Sequence, residues 1–113
     1  MNSLDKSLSI RVPDKFTIGE DNSKLFLINL EDDEKCFELS GICIEIFKAL
    51  KFTGKSKIDI STIQQQVWEA LDDCYDSKVK AAVKSGKLTK KIFDSSFDEF
   101  INFLICHEVV IIE

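Results

Sequence analysis

Four cysteines (Cys36, Cys43, Cys74 and Cys106) and one histidine, His107, are the side chains of this 113-residue chain best suited to metal or redox chemistry. Their spacing argues against both. A structural zinc site draws its thiolates from close pairs, and no two of these cysteines stand that near in sequence. They read instead as free thiols serving as small apolar groups. His107 follows Cys106 directly, and neighbouring helical residues project about 100° apart, so the two do not make a nucleophile–base dyad. Residues 31–34 gather four carboxylates, but a calcium loop needs a longer, glycine-containing pattern. A solvated hairpin tip is the simpler reading. No glycine-rich phosphate loop and no spaced carboxylate pair is present. The residue types point away from catalysis, metal and cofactor.

Charge gives a second constraint. The net charge is −5 and unevenly spread: residues 77–93 carry six lysines and no acid, while the rest holds nine basic side chains against 20 acidic ones, a net −11. An acidic body does not suit a phosphate backbone, which needs clustered positive charge. The lysine segment reads as a weakly amphipathic helix on Val79, Ala82, Val83 and Leu88 to Phe93, broken near Ser85-Gly86, with its lysines along a solvated face. Its functional alternative is a basic surface for an acidic peptide, an enzyme or nucleic acid.

Length and a 44% hydrophobic content fit a single domain with one modest core. No apolar run approaches the ~20 residues of a membrane span. The N-terminus lacks the basic start and apolar core of a signal peptide. The expected location is the cytoplasm.

The elements that position these residues follow from periodicity. Ile10, Val12, Phe16 and Ile18 suit a strand that Pro13-Asp14 bends, breaks or confines to an edge. Residues 19–23 read as a loop. Residues 25–30 read as a strand covered on both faces, and 35–39 as a second strand of half-buried alternation. Ser40 is placed to cap a first helix, with Ile42, Ile46, Ala49 and Leu50 as its apolar stripe, widened by Cys43 and Phe47. Ser61-Thr62-Ile63-Gln64 matches a capping box for a second helix, and Ser96-Phe97-Asp98-Glu99 one for a third, ending near His107. On that last helix the apolar arc spans roughly 200°, wider than one core contact needs. It therefore offers an edge carrying Phe100, Phe103 and His107. Residues 109–112 form a β-like tail that competes for any open strand edge.

The chain resembles the PqqD-like family, the peptide-binding RiPP recognition elements. The resemblance rests on LFLINLEDDEKCFELSG running directly into ICIEIFKALKFTG, then IDISTIQQQVWEALDD, then FDEFINFLICHEVVIIE. Leu39-Ser40-Gly41, Ile46–Leu50 with Gly54, Phe103-Leu104 and Val109–Ile111 stand at the positions of the family pattern. Three features depart from it. Lys-Phe-Thr-Gly replaces an Asp-Gly after the first helix, His107-Glu108 stands where a glycine turn is usual, and residues 73–95 are an insertion.

The resemblance implies an α+β fold: an N-terminal three-stranded antiparallel sheet (residues 10–39) on three helices (40–108), winged helix-turn-helix-like, with the lysine-rich insertion before the last helix and a tail at 109–113. It implies binding without catalysis. The leader region of a ribosomally synthesised precursor peptide would add as a strand to Lys35, Cys36, Phe37, Glu38 and Leu39. It would lie against Phe100, Phe103, Leu104 and His107 of the last helix. A modifying enzyme, often of the radical-SAM class, would be the second partner, with no nucleic acid and no membrane. An open strand also invites edge-to-edge homodimers. The alternative is a winged-helix nucleic-acid or regulatory module using the lysines. Against it, residues 97–108 contain no Lys or Arg where a groove-reading helix would need them.

Overall fold

The computed structural model describes residues 5–31, 36–39, 41–53, 59–73 and 77–112. Strands β1 (Ile10–Arg11), β2 (Phe16–Asp21), β3 (Lys24–Asn29) and β4 (Cys36–Leu39) precede helices α1 (Ile42–Thr53) and α2 (Ile60–Ala70). A 3-10 turn at Leu71–Asp73, α3 (Ser77–Ser85), α4 (Lys90–Cys106) and β5 (Ile111–Ile112) follow. The chain is α+β, with β2, β3 and β4 in one antiparallel sheet and β1 paired with β5 in a separate two-stranded ribbon.

Pro13 decides how the first strand ends. Proline cannot donate to a ladder, and the chain turns there, the Phe16 N–H reaching the Pro13 carbonyl at 3.1 Å. The expected strand is broken in two: β1 leaves the main sheet and β2 enters it. The loop expected at 19–23 shrinks to a two-residue turn. Gly19, Glu20 and Asp21 pair with Phe26, Leu25 and Lys24, and only Asn22 and Ser23 take positive φ, 52° and 67°. Two such residues make a turn whose twist matches the flanking strands. A Cβ at Gly19 would stand 2.2 Å from Ile28 Cδ1, so any larger residue there makes the half-exposed Ile28 side chain swing aside.

The pleat sorts β3 by face. Leu27 and Asn29 are buried on the helix side, whereas Phe26 and Ile28 are only half-covered on the other. The reading of 25–30 as covered on both faces is thus half right. Leu30 lies past the strand and is 64% exposed. Asn29 is satisfied by accepting the Glu31 N–H at 2.9 Å.

The helices build the core. Ile46, Phe47 and Leu50 of α1 meet Ile60, Ile63 and Val67 of α2 and Phe93, Phe97, Ile101 and Leu104 of α4. At roughly 25 cal/mol per Å² of apolar area removed from water, such side chains supply most of the driving force for collapse. Lys51 ties the end of α1 to the sheet by donating to the Phe16 carbonyl at 2.6 Å.

Helix starts differ from the expected caps. Asp59, not Ser61, caps α2: its carboxylate accepts the Thr62 N–H at 2.9 Å. That contact holds the Asp59 carboxyl below its ordinary pKa, because the bond favours the charged form. The capping box at Ser96 does not start a helix either. The lysine segment is itself helical, so α4 begins at Lys90 with Thr89 as its cap and Ser96 falls inside it. Among the described residues the α-helices are therefore four. Ser40 lies outside the described residues.

Residues 1–9 are largely polar, a composition that suits a frayed end, yet the chain is held over residues 5–9. The Ile60 N–H donates to the Leu8 carbonyl at 2.9 Å and the Ser61 N–H to that of Lys6 at 3.0 Å. Lys6 also pairs with Asp98 at 2.8 Å and hydrogen-bonds Gln64.

Candidate functional site

The tail does not take the edge of β4. Ile111 and Ile112 pair with Arg11 and Ile10. On its inner side β4 pairs with β3, from Ile28↔Cys36 to Leu25↔Leu39. Among the described residues no strand pairs with its other side. A row of backbone N–H and C=O groups there lacks a ladder partner, which is the property that lets a further strand add.

Beside that edge lies a cleft of about 250 Å³ lined by Phe37, Glu38, Leu39, Cys43, Phe100 and Phe103. The pleat puts Phe37 and Leu39 on the helix side of β4, and the helical period puts Phe100, Phe103 and His107 along one flank of α4. The two rows meet. Phe37 stands edge-on to Phe103, ring centroids 5.1 Å apart, and 5.1 Å from the His107 ring. Phe103 lies 4.4 Å from His107 and stacks with Phe100 at 6.3 Å. Edge-on and offset rings of this kind each add about 1 kcal/mol beyond area burial and fix the wall in one arrangement.

Eight of the nine residues expected at the site lie among the described ones. Phe37, Phe100 and Phe103 form the aromatic wall. Leu39 is buried at the cleft floor, and His107 is exposed at its mouth. Cys36 and Glu38 project to the opposite face of the sheet, although Glu38 also borders the cleft. Leu104 is 0% exposed and belongs to the core, turned away from any ligand by the residue spacing that presents Phe103. Lys35 lies outside the described residues. One wall residue was missed. Cys43, in the first turn of α1, lines the cleft because Gly41, at φ 58°, swings the chain from strand into helix. The signal was its place at the border of the α1 stripe. Burial pushes the Cys43 thiol pKa up, since a desolvated thiolate is disfavoured.

The last turn of α4 is built without glycine. Glu108 takes φ 59°, and the Val109 N–H returns to the Leu104 carbonyl at 2.9 Å. This closes the helix in the left-handed manner that glycine usually serves.

The remaining surface is simpler. A second depression, about 360 Å³, lies on the outer sheet face among Gly19, Glu20, Asp21, Phe26, Ile28 and Cys36. Lys24 stands 3.9 Å from Glu38 across that face, an exposed pair worth little. Among the described residues no group of three or more His, Cys, Asp or Glu is placed to hold a metal, and no helix is long and apolar enough to cross a membrane. Trp68 packs on Phe93, ring centroids 5.3 Å apart. Comparison with protein-family models, curated proteins and solved structures finds no match to this chain.

Proposed function

We propose that this protein is a non-catalytic peptide-binding module of the PqqD-like kind. It captures the leader region of a ribosomally synthesised precursor peptide in the cytoplasm and delivers it to a modifying enzyme, of which the radical-SAM class is the leading candidate. The single observation that carries this reading is the unpartnered edge of β4 beside the Phe37–Phe100–Phe103 cleft. In this reading the β2–β3 hairpin acts as the wing and α4 as the recognition helix of a winged-helix arrangement. Backbone bonds to Cys36–Leu39 supply affinity with little dependence on sequence, and the aromatic cleft takes alternate side chains and supplies selectivity. Ordering a flexible leader costs free energy, which keeps binding moderate and lets the product leave. The same edge supports a homodimer when no peptide is present.

The test is backbone methylation. A binder is first enriched from a display library of random 12-residue peptides, and each of its amides is then N-methylated in turn. Strand addition requires a two-residue period, because only alternate N–H groups face β4. Alternate methylations should each weaken binding tenfold or more, with the intervening ones tolerated. A flat or three- to four-residue period would replace strand addition with another mode.

A further inference from the structure

The chain that leaves the Leu39 end of the cleft turns beside the lysine-rich helix. Leu39 and Cys43 both line it, and Gly41 lies midway between them in sequence. The side of Gly41 that a Cβ would occupy faces α3: such a Cβ would touch Val79, 3.9 Å from its Cγ2. Val79 is the residue that α3 buries in the common core. The lysine helix is thus packed where an extended chain leaving the Leu39 end of β4 would pass.

The charges at that point contrast with the rest of the molecule. Residues 77–93 carry +6 and the remainder −11, so α3 lies in the one segment that attracts an acidic chain. On α3, Lys80 is partly exposed and Lys84 fully so, one turn apart on the same flank of Val79. The partner of Lys80 is Asp73, at 3.9 Å and 98% exposed, a loose pair that a better-placed carboxylate displaces at little cost. Lys80 and Lys84 are separated by about 6 Å along the helix axis. Two residues of extended chain cover nearly the same distance and return a side chain to the same face.

We infer that α3 reads an acidic flank of the captured peptide, with carboxylates at alternate positions meeting Lys80 and Lys84. This rests on strand addition at β4 and adds polarity to it. Antiparallel addition, the pairing used throughout this sheet, sends the peptide's N-terminal flank over Gly41. The recognised peptide therefore carries two acids, one residue apart, just before its strand-forming stretch. The apolar cleft grips the strand, and the lysine helix sets its direction and register.

The test selects random 12-residue display peptides on the full 113-residue chain. A Lys80→Gln/Lys84→Gln variant and a Lys90→Gln/Lys91→Gln control of equal charge are selected in parallel. The wild type and the control should enrich alternating apolar peptides with paired acids on the N-terminal side. The Lys80/Lys84 variant should keep the apolar pattern and lose the acids. A synthetic wild-type binder should bind that variant about tenfold more weakly at 50 mM salt, with the gap closing near 0.5 M as screening shortens the reach of charge. Apolar enrichment without acids, or an acid preference lost equally in the control, overturns the role of α3 and leaves the β4 cleft standing. No enrichment on any of the three overturns both readings. Binding of a 20-base-pair DNA duplex that depends on Lys80 and Lys84, with no acid preference among peptides, makes the helix a phosphate-binding surface and overturns the inference.

Discussion

Phe103 and Leu104 are consecutive, yet one faces the cleft and the other the core. Phe103 is half-buried, touching Phe37, Phe100 and His107, while Leu104 is 0% exposed. The helical step of 100° makes the difference, and it separates their roles. Phe103→Ala should weaken peptide binding by about 2 kcal/mol, as loss of an aromatic anchor does, with a smaller change in unfolding free energy. Leu104→Ala should cost 2–5 kcal/mol of stability by opening a cavity, at roughly the values known for such truncations. Calorimetry and chemical denaturation on the two variants separate the effects. If Phe103→Ala left binding unchanged, the aromatic wall would be packing alone. At this scale helical periodicity put Phe100, Phe103 and His107 on one edge of the last helix and strand alternation put Phe37 on one face of β4, and the structure brings the four rings together. Periodicity could not exclude Leu104, since the flank that α4 turns to α1 and α2 depends on where those helices sit.

Among the elements, the lysine segment was legible only as weak helix, its break near Ser85-Gly86 falling where α3 ends, while the join of its second half to the last helix was not. Its residues have few apolar side chains, and only Val79 of α3 is buried, so no strong stripe marks the helix. The cap was equally hidden. Ser96-Phe97-Asp98-Glu99 satisfies the local pattern of a helix start, but Phe93 and Phe97 are both 0% exposed on one face, and that packing carries the helix back to Thr89. Thr89 accepts the Ile92 N–H at 3.3 Å. Thr89→Ala should therefore destabilise the protein by about 1 kcal/mol. Ser96→Ala, now a mid-helix change, should be neutral or slightly stabilising. Urea unfolding of both variants decides it, and the reverse order would restore a helix starting at Ser96. The strands were easier to read. Pro13 marked the first strand as bent, broken or at an edge, of which the break is what occurs, and alternation gave the half-buried character of β4, whereas the partner of the tail depends on three-dimensional proximity that no local pattern encodes.

In the whole molecule, the N-terminal segment closes the structure that leaves β4 open. Leu8 and Lys6 bond the start of α2. Lys6 bridges to Asp98 of α4 at 2.8 Å, and its ammonium lies 5.5 Å from the Phe97 ring centroid. Gln64, buried at the same junction, donates to Asp94 at 2.7 Å. Lys6→Ala removes an ion pair, a hydrogen bond and a cation–ring contact, and should lower stability by about 1–2 kcal/mol. Thermal unfolding of that variant reads it, and an unchanged midpoint would mean that the Lys6 side chain contributes nothing to the fold. With this junction closed, β1 and β5 paired and the aromatic wall set by α4, the β4 edge that no described strand pairs with borders a packed surface. A preorganised template of that kind lowers the cost of binding an extended chain.

The central claim is that an extended peptide adds to β4 and lies against the aromatic wall. The most direct measurement is a heteronuclear NMR titration of the 15N,13C-labelled chain with a display-enriched peptide. The account predicts intermolecular backbone contacts at Cys36–Leu39, with ring shifts at Phe37, Phe100 and Phe103. Saturable binding that leaves Cys36–Leu39 unmoved, with shifts confined to the outer sheet face or to the β1–β5 ribbon, would contradict it.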